Sequence, residues 1–349
     1  MARLQDHRKV SAALARLSDD DLAARVADAP VDSVGIGGAT ARIDVDGVPV
    51  FVKRIALTDR ELMHPRSTAN LFDVPLYCQY GLSRWGGPGF GAWRELAANE
   101  ITTAAVLTGR TGAFPLLYHW RVLPGAPPPA EEHADIDTVV AYWGASSAVR
   151  ARLAAVASAS ASLTLFQEFV PESLDTWLAK QVDTGWVPEY ERQLLDATAY
   201  MRAEGLLHFD AHFGNVRTDG HLLRLADLGL ATSTRFDLSP AERAFAADHA
   251  DHDTSYALMR LVNWLVTTVC GIGSPESGGP AERNAYIKEC AASARPLSAP
   301  PEVAATITRY AEVAALVNDF YWDFFGTTRA TPFPTARIRA ALARALPAS

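Results

Sequence analysis

The stretch "LHFDAHFGNVRTDGHLLRLADLGL", Leu207 to Leu230, decides how the rest of the chain is read. It sets His208, Asp210 and His212 at alternate positions, follows them with Asn215, and then places Asp227 alone among Leu and Ala. Ionisable groups in apolar company are costly to bury unless each has a partner or a task. Asn215 and Asp227 are oxygen donors of the kind that could hold Mg²⁺, which takes few protein ligands and leaves positions for phosphate oxygens. Asp210 could then orient an acceptor hydroxyl and receive its proton. A rival reading joins His208, Asp210 and His212 to His249, Asp251, His252 and Asp253 as a zinc cluster, the signature of a metallohydrolase. If not ligands, residues 248–253 read as a solvated helix entry.

Upstream, "DSVGIGGATARIDVDGVPVFVKRIAL" (32–57) alternates apolar and polar residues and turns at Asp46-Gly47. That is a β-meander. Gly35, Gly37 and Gly38 form a bend between its first two strands, where backbone N–H groups can approach a phosphate. A strand rather than a helix follows the glycines, so the bend is not a dinucleotide-binding fingerprint. Lys53 lies inside an apolar strand. It either snorkels from a sheet edge or meets a carboxylate and a phosphate. The next helix, from Trp93 to Leu107, offers two acids. At about 100° per residue, Trp93, Leu96, Ala97, Ala104 and Leu107 form one apolar stripe. Glu100 falls within it and is the expected partner of Lys53. Glu95 falls opposite and reads as a solvated surface residue.

Together these motifs resemble the protein kinase-like superfamily, including the aminoglycoside and choline phosphotransferases and atypical bacterial protein kinase-like proteins of actinobacterial type. "HFDAHFGN" resembles the H-x-D-x-x-x-x-N catalytic loop, and "DLGLA" resembles Asp-Phe-Gly with Leu228 in place of Phe. The resemblance covers roughly residues 31–270. It implies an α+β, bilobal protein kinase-like fold, with an antiparallel β-sheet N-lobe and a mainly helical C-lobe. The implied organisation is a helical extension over 1–30, an N-lobe over 31–168 with insertions at about 58–92 and 124–160, and a C-lobe over 169–349. The implied cofactors are ATP and Mg²⁺. Gly35, Gly37 and Gly38 would cover the phosphates, and Lys53, fixed by Glu100, would hold the α- and β-phosphates. The join from Glu168 to Val170 would offer backbone groups to adenine. Asp210 would be the catalytic base, Asn215 and Asp227 the metal ligands, and His208 a brace. Asp253 would anchor the catalytic loop from below.

Three departures from the family pattern stand out. Thr40 replaces the third glycine of the phosphate loop, His212 stands where kinases acting on Ser or Thr usually carry Lys, and no Ala-Pro-Glu follows "DLGLA". The last two favour a small-molecule hydroxyl over a protein Ser or Thr. The alternative within the same fold is a pseudokinase, a nucleotide- or partner-binding module.

The whole chain is compatible with this reading. Its 349 residues suffice for two lobes, and its net charge of −8 argues against nucleic-acid or anionic-membrane partners. Its three cysteines are widely spaced, which suits reduced thiols and a cytoplasmic protein. The charged N-terminus lacks the apolar core of a signal peptide.

Overall fold

Alternating apolar residues and two glycine-bearing turns draw residues 31–57 into three antiparallel strands, β1 (Val31–Gly35), β2 (Gly38–Val45) and β3 (Val48–Leu57). The β2–β3 turn places Asp46 and Gly47 at φ 54° and 81°, the left-handed pair that a tight two-residue hairpin needs. Two later strands, β4 (Leu117–Pro124) and β5 (Ala161–Glu168), complete a five-stranded sheet in the order β1-β2-β3-β5-β4, with every neighbouring pair antiparallel. Lys53 therefore lies across from Thr40 on β2 and Leu165 on β5. The computed structural model describes residues 2–81, 85–273, 279–292 and 299–346.

Helices α1 (Ala2–Ala15) and α2 (Asp19–Asp28) pack against β2 and β4 and bury Val10, Leu14, Leu22 and Val26. Ser18 caps α2 by accepting the Asp21 N–H. The described residues of 58–81 and 85–92 hold the short helix α3 (Asp59–Met63) and bury Phe72, Val74, Cys78 and Tyr80. Helix α4 (Ala92–Leu107) follows and joins a core of Leu57, Ala92, Trp93, Leu96, Leu117, Leu163 and Leu165. Between β4 and β5 come α5 (Ile136–Tyr142) and α6 (Ser147–Ala157).

The protein is thus mixed α+β and divides into two compact units. The first holds residues 1–171, 208–210 and 224–243, and the second holds 172–207, 211–223 and 244–349. The sequence boundary at 168/169 falls near the end of the first long segment. It does not capture the two short returns, 208–210 and 224–243, which carry Asp210 and Asp227 into the first unit.

The second unit is mainly helical. Its elements are α7 (Leu174–Leu178), α8 (Val187–Ala203), the end of α9 (Pro240–Asp248), α10 (His252–Trp264) with a π-helical turn over Leu265–Val269, α11 (Gly279–Ala292), α12 (Pro301–Gly326) and α13 (Thr335–Ala345). The long α12 packs on α10, α11 and α13. On α8, Glu191 accepts hydrogen bonds from Thr306, Arg309 and Tyr310 of α12. Glu172–Ser173 pairs antiparallel with Arg217 and Thr218. Among the described residues, no helix is long and apolar enough to cross a membrane.

Candidate functional site

Lys53 does not snorkel. It is 3% exposed, and its Nζ lies 2.7 Å from Asp227 Oδ1 and 2.8 Å from Glu95 Oε1. β3 aims the ammonium at α4, and the chain returns at 224–243 to bring Asp227 to it. Asp227 has φ 57°, a left-handed conformation uncommon outside glycine and often found at functional sites. The Gly229 N–H reaches back to Asp227 Oδ1 at 3.3 Å. The glycine bend lies over this cluster. A Cβ at Gly37 would sit 3.0 Å from Lys53 Nζ and 3.5 Å from Asp227 Oδ2. At Gly38, φ is 119° and a Cβ would strike the Arg54 carbonyl oxygen at 2.1 Å, so only glycine fits there. Around Gly35 the space is open.

The expected partner of Lys53 was Glu100, and the structure corrects this. Glu100 pairs with Arg66 at 2.7 Å at the surface, and the buried partner is Glu95. The helical period is right but the phase is not. The buried side of α4 runs through Glu95, Ala98, Asn99, Thr102 and Val106, while Ala104 and Leu107 are exposed. Polar residues occupy this face because each finds a partner. Asn99 Nδ2 donates to the Glu95 carbonyl, Asn99 Oδ1 accepts from Gln167, and Thr103 Oγ1 accepts the Leu117 N–H. An apolar stripe cannot report that.

The electrostatics follow from sharing one cation between two acids. Burial alone would lower the Lys53 pKa, but Asp227 and Glu95 overcome it and raise it, so the amine stays an ammonium. Burial pushes the Glu95 carboxyl up to about 7 against the pull of Lys53. Asp227 moves the other way. Burial opposes its charge, yet the ammonium holds it below the usual carboxylate range. With 41% of its side-chain surface accessible, Asp227 is the open carboxylate of the cluster.

Asp210 belongs to the same unit. The fully buried His208 ties the two returning segments together. Its Nε2 is 2.9 Å from the Ala226 carbonyl oxygen, and its Nδ1 accepts the Asp210 N–H at 3.3 Å. A ring that carries its hydrogen on Nε2 satisfies both bonds. Asn215 lies in the second unit, in a tight turn where its N–H donates to the His212 carbonyl at 2.8 Å. Glu168 ends β5 with its N–H given to the Leu116 carbonyl and its carboxylate held by Arg3 at 2.6 Å. Its N–H is therefore taken, and Val170 beyond it is buried.

The zinc reading is overturned. Among the described residues, no three His, Cys, Asp or Glu side chains are gathered to hold a metal. Nor are residues 249, 251, 252 and 253 a solvated helix entry, for all four are buried. His249 stacks between Phe245 and Phe333, and burial pushes its pKa down to about 3. Asp251 takes Arg202 and Arg339, and His252 meets Tyr321 and Asp253.

Two further buried ion pairs escaped sequence reasoning. Arg94 meets Glu242, and Arg152 meets Glu61 at 2.9 Å. The second had a signal, because Thr58 and Glu61 form a capping box with the expected spacing.

No protein-family model matches this chain, and no curated protein matches it.

The donor set suits a nucleotide with Mg²⁺. The approach that Gly37 permits, an ammonium and an accessible carboxylate lie within one small region. A magnesium site needs only one or two protein carboxylates.

Proposed function

We propose that the chain is an ATP-dependent phosphotransferase of bilobal, protein kinase-like fold that moves the γ-phosphate to a hydroxyl. The observation that supports it is the Lys53–Glu95–Asp227 cluster beneath Gly37. In this reading Lys53 neutralises the α- and β-phosphates, and Glu95 holds the amine in place. The bend at Gly35, Gly37 and Gly38 covers the phosphates with backbone N–H groups. Asp227 would be a ligand of Mg²⁺, which would supply charge neutralisation at the transferred group, and Asn215 is the second ligand that the resemblance implies. Asp210 orients the acceptor hydroxyl and takes its proton. The stretch from Glu168 to Val170 meets adenine through groups other than the Glu168 N–H. The acceptor is a small-molecule hydroxyl, with a protein Ser or Thr as the other class.

The test is Mg-ATP turnover across candidate hydroxyl compounds and generic protein substrates, with mass spectrometry of products. Asp210→Asn is expected to lose about 10²-fold or more in turnover while retaining ATP binding. Lys53→Met is expected to lose both. Turnover unchanged in Asp210→Asn would falsify the proposal.

One observation favours the second reading, a nucleotide- or partner-binding module. Chain backbone at Gly81 is packed on the Asp210 carboxylate. ATP binding without any Asp210-dependent product would select that reading.

A further inference from the structure

Residues 79–81 and 86–87, between α3 and α4, touch three separate parts of the site, all within the first unit. A Cβ at Gly81 would lie 2.1 Å from Asp210 Oδ1 and 2.4 Å from its Cγ, so main chain rests directly on that carboxylate. Asp210 Oδ1 is shut off from solvent. The neighbouring Tyr80 ring meets Phe209 edge-on at 6.1 Å. Gln79, 2% exposed, donates its side-chain amide to the Leu230 carbonyl, just past Asp227. A Cβ at Gly87 would lie 3.4 Å from Leu230 Cδ2. A Cβ at Gly86 would lie 2.3 Å from Ile36 Cδ1, at the tip of the glycine bend. From behind, Trp143 and His133 hold the Gly86 and Trp85 carbonyls, each at 2.9 Å.

An acceptor hydroxyl must come within about 3 Å of the base that takes its proton. Gly81 occupies one such approach to Asp210. We propose that residues 75–81 and 85–91 form an internal plug on Asp210, and that an acceptor gains full access only when the plug withdraws. The proposal rests on the phosphotransferase reading. The plug is anchored by polar and apolar contacts at separate points, so it has a definite docked state. Glycine at 81 is what permits that docking, because any side chain there would collide with the carboxylate. Release at Leu230 or at Ile36 shifts the balance toward the open state.

The test places a thiol at the position that Gly81 covers on one side. In the full chain carrying Asp210→Cys, alkylation by iodoacetamide is followed peptide by peptide, which separates it from Cys78, Cys270 and Cys290. Adding Gln79→Ala is expected to raise the rate about fivefold, the shift one lost hydrogen bond gives a two-state equilibrium. Ile36→Ala changes a partly exposed side chain, tests the other anchor without emptying the core, and is expected to act in the same direction. Equal alkylation rates with and without these changes overturn the plug. In chains with Asp210 intact, Gln79→Ala is expected to raise Mg-ATP turnover by a similar factor. Turnover that stays level or falls while alkylation accelerates overturns the inhibitory role. Failure of the phosphotransferase reading shows elsewhere, as wild-type Mg-ATP binding that Asp227→Ala leaves unchanged.

Discussion

Glu61 and Glu95 are both buried carboxylates of the first unit, 1% and 3% exposed, and each meets a buried cation. They end in opposite protonation regimes. Glu61 is surrounded by donors: Arg152 at 2.9 Å, the Thr58 hydroxyl at 2.7 Å, the Thr58 N–H at 2.9 Å and the Ala92 N–H at 2.8 Å. Burial opposes its charge, but Arg152 and Thr58 prevail and its pKa is lowered. Glu95 has Lys53, and Lys53 also serves Asp227, so burial wins and the carboxyl rises to about 7. A carboxylate built to hold a fold together is saturated with partners. Glu95 is held short of saturation, because its cation has a second obligation. Acids with strongly perturbed pKa values cluster at functional sites.

The comparison can be broken, and the largest effect comes first. Glu61→Ala leaves Arg152 buried without its carboxylate and removes the Glu61 half of the α3 capping box. It is expected to destabilise the first unit by about 3–5 kcal/mol, read as a lower denaturant midpoint. A loss no greater than that of a surface pair would erase the distinction.

A middling effect sharpens it through pH. The folded pKa of Glu95 lies above its unfolded value, so the folded chain binds the extra proton between about 4.5 and 7. Stability from this group is full below the unfolded pKa and is lost as pH rises to about 7. Glu95→Gln is expected to remove that slope, a difference on the order of 1–3 kcal/mol across the window. Identical pH profiles for the variant and the parent would show that Glu95 titrates normally.

The smallest effect belongs to Glu100. Its pair with Arg66 is half in solvent, and such pairs contribute about 0–1 kcal/mol. Glu100→Gln is expected to leave the midpoint nearly unchanged and Mg-ATP binding unaltered. A loss of binding would return the site role to Glu100.

Much of the first unit was legible because its signals are local. The meander follows from alternation and from Asp46-Gly47, a dipeptide that tolerates two left-handed residues. The expected helix Trp93–Leu107 lies within α4 (Ala92–Leu107). Lys53 and Asp227 could be singled out because a charge in an apolar run needs a partner, and each proved to be the other's partner. Glu95 was hidden because its face of α4 is lined with polar groups whose partners come from β4 and β5. The burial of residues 249–253 was hidden for the same reason. Their partners Arg202, Tyr321 and Arg339 are remote in sequence.

By itself, then, the amino-acid order determined the β-meander and its Asp46-Gly47 turn, the helix that ends at Leu107, and which charges demand an explanation. Tertiary structure alone decided which glutamate answers Lys53 and which backbone rests on Asp210. The reason is physical. Backbone preference and amphipathic period act over a few residues, whereas the protonation of a buried acid depends on every donor within a few ångströms, whatever its place in the chain.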